Sequence, residues 1–449
     1  MGDPAAVFKA YDIRGLVPDE LDEGLARDLG SAFALLVREA EPATGRVVVA
    51  RDMRASSPAL AGAFADGVRA QGIDVVDIGL ASTDLAYFAS GHLDVPAAMI
   101  TASHNPAHYN GIKLCLAGAR PVGQDTGLTR MAELVEAGLP DGPGGGRIEA
   151  ADLLDAFADH ARSFVDPATL RPLKVVADTA NGMGGLVLPA VFDTLPFDLE
   201  VLYGELDGEF PNHPADPIHP ENLRDLQARV LAVGADVGLA FDGDADRMFL
   251  VDERARPVSS SATTALIASA ILQAEPGATI IYNLICSRVV AEVIAELGGR
   301  AVRSRVGHSF IKMAMASEGA AFAGEHSGHY YFRDNFGADS GLIAALLVLE
   351  ALSTHDGPLS DLVAPFDHYA ASGEINFEVD DPGAVLDTVA AFYAGHPQDR
   401  LDGLTVDAGD WWLNLRLSNT EPLLRLNLEA GDPAACVERV TEVRGLLGQ

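Results

Sequence analysis

Three aspartates stand on alternate residues in the segment DGDADR (242–247), directly after an apolar run that ends at Phe241. Asp242, Asp244 and Asp246 are separated only by small residues, so their carboxylates can converge on one hard divalent cation that prefers oxygen ligands. Without a cation, three carboxylates this close would raise one another's pKa. The segment therefore predicts a magnesium site, with a solvated acidic turn and a calcium-binding EF-hand loop as alternatives.

The EF-hand alternative is supported by spacing alone. The three aspartates match its first three ligand positions, and Glu253 stands at its last position. However, Arg247 occupies the place of the glycine that makes the sharp turn of an EF-hand, and the flanking segments have the pattern of strands. These two features favour magnesium over calcium.

A serine loop is the second candidate for chemistry. The segment TASHNPAHYNGIK (101–113) follows an apolar run, which places Ser103 at the carboxyl end of a predicted strand, where α/β folds usually carry their chemistry. Such a serine is either a nucleophile or a simple cap of the next helix. His104 and His108 are candidate zinc ligands, but no matching third ligand and no H-E-x-x-H pattern accompany them.

A third segment, GEHSGH (324–329), places short polar side chains between glycines. This composition suits hydrogen bonds to the hydroxyls of a sugar or another polyol, and an ordinary polar turn is the alternative. His308, in the segment VGHSF, is a candidate functional histidine, and a purely structural role is the alternative.

The fourth segment is RLSNTEPLLR (416–425). Arg416 and Ser418 would share one strand face, and Asn419 and Thr420 add donors at the turn that follows. Such a concentration of donors suits a phosphate dianion. The alternative is an ordinary polar strand face followed by a turn.

The elements that must position these segments alternate along the chain. Short runs rich in β-formers predict strands at residues 46–50, 95–100, 174–177, 236–241 and 279–282. Longer Ala/Leu-rich stretches, such as residues 60–71 and 263–273, predict helices between them. This alternation predicts an α/β chain with mostly parallel strand pairing.

Turn-rich segments divide this pattern into units. Breaks are expected at residues 138–146, 252–257 and 354–365. We therefore expect three α/β domains and a shorter C-terminal one. The predicted ranges are 1–146 with the serine loop, 147–253 with the metal loop, 254–365 with the sugar-binding loop, and 366–449 with the phosphate-binding loop.

The last unit has a different pattern. Residues 411–418 alternate, with Trp411, Leu413, Leu415 and Leu417 on one predicted strand face and the more polar residues on the other, and residues 424–429 alternate in the same way. The pattern predicts an antiparallel hairpin that is buried on one side, and hence an α+β domain.

Composition excludes several classes of protein. The 449 residues contain 65 acidic and 31 basic side chains, a formal net charge of −34, which argues against binding to nucleic acid or to an anionic membrane. The three cysteines are isolated, which indicates a reducing compartment. Because no apolar run reaches the roughly 20 residues of a membrane span and no signal peptide is evident, a cytoplasmic protein is expected.

The four segments, in this order and one per predicted domain, closely resemble the phosphohexomutase family, in particular its bacterial phosphomannomutase/phosphoglucomutase branch. KAYDIRG (9–15), the proline-rich segment 210–223 and VGHSFIK (306–312) are also similar to family segments. The resemblance therefore covers essentially the whole chain. It implies four domains around a central cleft: three similar α/β domains with mixed sheets, and a C-terminal α+β domain with an antiparallel sheet.

The resemblance also implies an activity and a set of roles. The implied reaction is the reversible interconversion of hexose 6-phosphate and hexose 1-phosphate, for mannose and also for glucose, through phosphoserine and an enzyme-bound hexose 1,6-bisphosphate. Ser103 would carry the phosphoryl group, and one of its oxygens would join three aspartates on Mg²⁺. The implied metal ligands are Ser103, Asp242, Asp244 and Asp246. The other groups around the transferring phosphoryl are Lys113, His104, Arg14 and Arg247. The implied substrate-binding residues are Tyr11, His308, Glu325, Ser327, His329, Arg416, Ser418, Asn419, Thr420 and Arg425.

Two positions depart from the family pattern, and alternatives to the implied function remain. Ile285 stands where some relatives have a basic residue that helps to hold the phosphate, with Arg288 as a candidate replacement, and His326 stands where methionine is common. The alternatives are a phosphoglucosamine mutase, a metal-dependent sugar phosphatase and a non-enzymatic sugar-phosphate-binding protein. The expected state of assembly is a monomer or a dimer.

Overall fold

The computed structural model describes residues 4–417 and 423–448. Within these residues the chain forms four β-sheets with helices packed against them.

The first sheet is mixed. Its strands are β1 (Ile13–Leu16), β2 (Arg46–Arg51), β3 (Asp74–Leu80), β4 (Ala97–Ile100), β5 (Tyr109–Leu116), β6 (Arg120–Pro121) and β7 (Ile148–Ala150). The strand order is β1-β5-β4-β2-β3-β7, with β6 beside β5. The helices of this region are α1 (Glu23–Ala40), α2 (Ser57–Ala70), α3 (Thr83–Leu93) and α4 (Leu128–Ala137). Alternate residues of β2 pack against helices on opposite faces, Val47 with α1 and α2, and Val48 with α3.

The second sheet has the order β12-β11-β10-β8-β9. Its strands are β8 (Lys174–Asp178), β9 (Asp198–Leu202), β10 (Val237–Phe241), β11 (Met248–Asp252) and β12 (Pro257–Val258), and its helices are α5 (Leu154–Arg162), α6 (Gly184–Phe192) and α7 (Arg224–Val233). Every residue of β10 is buried. This strand is covered on both faces, as its uninterrupted apolar run requires.

The third sheet has the order β14-β13-β15-β16. Its strands are β13 (Thr279–Asn283), β14 (Arg300–Ser304), β15 (Phe322–Gly324) and β16 (Tyr330–Phe332). The helices of this region are α8 (Ser260–Ala274), α9 (Arg288–Glu296), α10 (His308–Glu318), α11 (Gly341–Thr354) and α12 (Leu359–Val363). The first, second and third sheets each combine parallel and antiparallel pairs.

The fourth sheet is entirely antiparallel and has the order β17-β21-β20-β19-β18. Its strands are β17 (Ala370–Phe377), β18 (Gln398–Asp399), β19 (Leu404–Asp407), β20 (Trp411–Leu417) and β21 (Leu424–Ala430), with helices α13 (Pro382–Phe392) and α14 (Pro433–Leu446). The predicted fold class is therefore confirmed.

The predicted one-sided burial of the β20–β21 hairpin is wrong. Trp412 and Asn414 are buried although they lie on the face predicted to be open, whereas Leu417 is 48% exposed. The second face is covered because the third domain packs near it: Glu429 accepts hydrogen bonds from the Trp412 indole (2.8 Å) and from the backbone N–H of Arg288 (3.1 Å).

One buried apolar cluster runs through the three α/β domains and joins them into a common core. Helix α11 is part of it, and its residues Leu342, Ile343, Leu346 and Leu349 are fully buried. Among the described helices, no single one is long and apolar enough to cross a membrane, and one bent pair meets that test by length and composition only. The C-terminal domain has a separate core.

The predicted domain boundaries stay predictions. Strand β7 follows residue 146 and still joins the first sheet, and strand β12 follows residue 253 and pairs with β11. The turn-rich residues 252–257 thus connect two strands of one sheet.

Candidate active site

The serine loop connects β4 to β5, and Ser103 lies deep inside it. Ser103 is 3% exposed and has a left-handed backbone conformation, with φ at +52°. Its hydroxyl donates a hydrogen bond to Asp242 (2.7 Å) and lies 3.2 Å from Nδ1 of His104. The element that follows the loop is a strand, so the alternative role of Ser103 as a helix cap is wrong. The hydroxyl instead faces the metal loop.

Arg54 holds the serine loop in place, and the sequence analysis missed it. Its buried guanidinium donates to the backbone carbonyls of Ser103 (2.8 Å), Asn105 (2.6 Å), Pro106 (2.8 Å) and Tyr109 (3.1 Å). Its Nε forms an ion pair of 3.1 Å with Asp52, which is also buried. The signal available was an arginine four residues after the end of the predicted strand at residues 46–50, on the same sheet edge as Ser103.

The metal loop connects β10 to β11 and is packed tightly against the serine loop. A Cβ at Gly243 would lie 2.4 Å from the carbonyl oxygen of Ser103, so only glycine permits this approach. Asp242, Asp244 and Asp246 are buried, and each offers a carboxylate oxygen within 4.8 Å of the others. The structure thus brings together the four predicted metal ligands.

The three carboxylates fit a divalent cation. One oxygen of Asp244 and one of Asp246 are buried without a hydrogen-bond partner among the described residues, a costly arrangement unless a ligand satisfies them. Burial and the charges of its two neighbours raise the pKa of Asp242 to about 7, against the opposing effect of Arg247. An all-oxygen donor set of this kind suits Mg²⁺.

Two alternative metal sites are not supported. Glu253, the last ligand of the EF-hand alternative, lies at the far end of β11 and binds the backbone N–H and hydroxyl of Ser360 (3.1 and 2.6 Å). Among the described residues, His104 and His108 belong to no cluster of groups that could hold a metal ion.

Lys113, on β5, joins the first domain to the metal loop. Its ammonium group donates to Asp244 (2.8 Å) and to Asp246, and Thr83 also donates to Asp244 (2.6 Å). Burial lowers the pKa of Lys113, but the two carboxylates outweigh it and raise the pKa well above its usual value. Lys113 is therefore a cation in this arrangement.

Two arginines and a histidine surround Ser103. Arg14 forms an ion pair with Asp12 (2.8 Å), and its Nη1 donates to Asn105 (2.6 Å) in the serine loop. Arg247 pairs with Asp242 (2.9 Å) and lies 3.5 Å from Asp216.

His104 is neutral beside these cations. Burial, Arg247 and Arg14 lower the pKa of His104 well below its usual value. Its Nε2 lies 3.9 Å from Asp216, a carboxylate of the proline-rich segment that the sequence analysis did not single out.

The predicted sugar-binding loop connects β15 to β16 and meets the metal loop. The backbones of Arg247 and His329 form an isolated β-bridge, and Nε2 of His329 lies 3.6 Å from Asp246. Ser327 donates to Glu325 (3.1 Å) and lies 3.0 Å from Nδ1 of His329. Burial lowers the pKa of His329, but Glu325 and Asp246 outweigh it, so the net shift is upward.

Tyr11 and His308 bring the first and third domains together. Their rings make an edge contact with centroids 5.4 Å apart, and the Tyr11 hydroxyl donates to the carbonyl of Val306 (3.0 Å). Burial and the charges of Asp402 and Glu325 raise the pKa of Tyr11 to about 12. Burial, followed by the charge of Lys312, lowers the pKa of His308 well below its usual value.

Arg416 and Arg425 stand directly opposite each other on β20 and β21. Both lie beside Glu374 on β17, at 3.3 and 3.2 Å. The other predicted phosphate ligands, Ser418, Asn419 and Thr420, lie outside the described residues.

The two departures from the family pattern are neighbours in space. Ile285 is buried, and it lines a cavity of about 250 Å³ together with His326, Trp412 and Glu429. The guanidinium of Arg288 donates to Asp407 (3.2 Å) and to the carbonyl of residue 409 in the C-terminal domain. Arg288 is thus engaged in contacts between domains.

The buried serine, with three carboxylates and a lysine beside it, has the groups that suit phosphoryl transfer. Family models for phosphoglucomutase/phosphomannomutase match the chain in four parts: α/β/α domain I at residues 5–137, domain II at 154–255, domain III at 259–369, and the C-terminal domain at 374–445. The chain belongs to the phosphoglucomutase/phosphomannomutase family.

Individual relatives agree with this assignment. The chain is 44% identical to a protein named "Phosphohexose mutases" from Xanthomonas campestris pv. campestris, over 98% of each chain. It is 40% identical to a phosphomannomutase from Escherichia coli K12, over 98% of this chain and 99% of the relative. The crystal structure of a phosphoglucomutase/phosphomannomutase family protein from Burkholderia thailandensis superposes with a TM-score of 0.91 at 35% identity, over 98% and 97% of the two chains. The predicted phosphohexomutase is confirmed at the level of the family.

Proposed function

We propose that the protein interconverts hexose 6-phosphates and hexose 1-phosphates, through phosphoserine at residue 103 and an enzyme-bound hexose 1,6-bisphosphate. One observation carries this proposal. The Ser103 hydroxyl lies 2.7 Å from Asp242, within a buried cluster of three aspartates that Lys113 also contacts. The names of the curated relatives support the same class of reaction.

The proposed chemistry is two phosphoryl transfers in opposite directions. In the first, a sugar hydroxyl oxygen forms a bond to the phosphorus on Ser103 and its proton passes to a base, while the bond from phosphorus to the serine oxygen breaks and the serine oxygen takes up a proton. In the second, the serine oxygen forms a bond to the other phosphorus of the bisphosphate and its hydroxyl proton passes to a base, while the bond from that phosphorus to the sugar oxygen breaks and the sugar oxygen takes up a proton. We assign the proton transfers to Lys113 or to a group beside it: Lys113, as a cation, can supply a proton to the leaving oxygen, and a group beside it takes the proton of the attacking hydroxyl.

The surrounding residues neutralise and orient. Arg14, Arg247 and Lys113 spread positive charge around the transferring group, and His104 supports the serine loop. When Mg²⁺ is held by the three aspartates and a phosphoserine oxygen, it supplies further positive charge for the transferring phosphoryl group.

The proposed substrate contacts come from the third and C-terminal domains, with Tyr11 from the first. Glu325 and Ser327 would bind sugar hydroxyls, with His308, His329 and Tyr11 beside them. Arg416 and Arg425, with Ser418, Asn419 and Thr420, would bind the phosphate that does not react. Because the bisphosphate must rotate in the site between the two transfers, the residues that bind the non-reacting phosphate must accept it in either orientation.

We propose mannose and glucose phosphates as the substrates. These sugars differ only at C2, and the residues that would read their other hydroxyls cannot separate them. A cytoplasmic location is supported by the three cysteines, which are free and buried.

The test is Ser103→Ala, in a coupled assay with mannose 1-phosphate, glucose 1-phosphate and glucosamine 1-phosphate. Turnover should be abolished while affinity for hexose phosphate stays within a few fold. Ser317→Ala is the matched control, because the Ser317 hydroxyl lies on helix α10 and donates a local hydrogen bond to the carbonyl of Ala314. Near-normal turnover of Ser103→Ala would exclude the phosphoserine route. Release of phosphate by the wild-type protein in large excess over isomerised sugar would indicate a phosphatase.

A further inference from the structure

We propose that Glu374 is a positioning residue that controls how tightly Arg416 and Arg425 hold the substrate's phosphate. One carboxylate oxygen of Glu374 lies 3.3 Å from Nη2 of Arg416, and the other lies 3.2 Å from Nη1 of Arg425. A single carboxylate thus bridges the two guanidinium groups. The inference rests on the proposed function, because these two arginines are the proposed phosphate-binding pair.

The arginine pair needs a nearby anion. Arg416 and Arg425 face each other across an antiparallel strand pair, where like charges directly opposite destabilise the sheet. The Arg416 side chain is also only 4% exposed, and this burial lowers its pKa, an effect that the charge of Glu374 opposes. In the absence of a phosphate, Glu374 supplies negative charge to both arginines.

An irregularity in β17 lies directly before Glu374. The register of β17 against β21 shifts between Ala371 and Glu374, and Gly373 within this shift has φ at +65°. Such bulges change the direction of the side chain that follows them. The Glu374 side chain is 23% exposed, so it contacts the arginines while remaining open to an arriving ligand.

A phosphate and the Glu374 carboxylate would therefore compete for the same guanidinium groups. Both anions form charge-assisted hydrogen bonds with arginine, and the phosphate carries the larger charge. When the bisphosphate leaves the arginines to rotate in the site, Glu374 pairs with both guanidinium groups. This pairing lowers the free-energy cost of releasing the phosphate. The presence of Glu374 makes phosphate binding weaker and phosphate exchange faster.

The test is Glu374→Gln, which keeps the shape of the side chain and removes its charge. We expect KM for hexose 6-phosphate and kcat both to fall, each by about fivefold, because the phosphate is held more tightly and released more slowly. Titration calorimetry with inorganic phosphate should show tighter binding by a similar factor. Glu374→Asp keeps the charge and should restore KM towards the wild-type value.

The matched control is Asp387→Asn, which removes a carboxylate that pairs with Arg400 (3.1 Å) on the exposed surface of the same domain. It should leave both kinetic constants unchanged. A role for Glu374 in folding alone predicts a higher KM in Glu374→Gln, and any outcome other than a joint fall of KM and kcat overturns the inference.

Arg416→Ala separates this inference from the proposed function. If it leaves hexose phosphate binding unchanged, the proposed phosphate-binding pair itself is wrong. If Arg416→Ala weakens binding while Glu374→Gln does not strengthen it, only the role of Glu374 is refuted.

Discussion

Arg54 offers the sharpest test of how the serine loop is built. The proposed change is Arg54→Lys, which keeps the positive charge beside Asp52 but replaces a planar group of five donors with a single ammonium. Arg54 makes four hydrogen bonds to backbone carbonyls of residues 103–109 and one to Asp52. A lysine has three donors, so at least two of these acceptors lose their partner.

The expected effects follow from these contacts. Each lost bond to a charged donor costs about 1.5 kcal/mol, so the free energy of unfolding should fall by about 3 kcal/mol. A loop displaced by about 1 Å should lower kcat about a hundredfold. Binding of hexose phosphate should change much less, because the arginine pair lies in another domain.

Stability is measured by urea denaturation, from the unfolding transition at the lowest urea concentration. Activity is measured as kcat in the coupled assay. Arg162→Lys is the matched control, since Arg162 also donates to two backbone carbonyls, at 2.8 and 3.2 Å, and pairs with Asp159, but it lies outside the site. It should lower stability without lowering kcat. A near-wild-type kcat in Arg54→Lys would refute the idea that this guanidinium positions the serine.

Three further predictions concern the metal loop and its surroundings. Gly243→Ala should lower kcat at least about tenfold, because the new methyl group would meet the Ser103 carbonyl at 2.4 Å, whereas Gly62→Ala, with open space around it, should not. Burial raises the pKa of Asp84 to about 7. The protonated carboxyl therefore favours the folded state fully below about pH 4, and this stabilisation is lost as pH rises through 7. Wild type should therefore lose about 4 kcal/mol relative to Asp84→Asn across that range, and a constant gap in thermal midpoint would contradict this. Removal of divalent cations should abolish turnover and lower the thermal midpoint, and Mg²⁺ should restore both in wild type but not in Asp244→Asn.

The parts of the site that are local in sequence were predictable. The aspartates of the metal loop and Ser103 each follow a buried strand, so their position at the carboxyl ends of two sheets could be derived from the pattern of apolar residues. The family resemblance supplied the arrangement of the four domains around a cleft. The positions of residues within a single loop could therefore be predicted from the sequence alone.

Contacts between distant segments were not predictable. Arg54 reaches carbonyls 49 to 55 residues away, and its place after a strand could indicate the sheet edge but not these partners. Glu374 meets the arginine pair only because β17 lies beside β21 and contains an irregularity. The alternating pattern of β20 indicated one buried face, but it could not show that the third domain covers Trp412 on the other.

The proposed mechanism requires Ser103 to give its phosphoryl group to the sugar and to take the other phosphate of the bisphosphate in return. The most direct measurement is to incubate the protein with Mg²⁺ and hexose 1,6-bisphosphate labelled at phosphorus, quench it in acid, and map the modified peptide by mass spectrometry. We expect label on Ser103 and its later recovery at both the 1- and 6-positions of hexose monophosphate. Absence of label from residues 101–113, with the label released as inorganic phosphate, would contradict it.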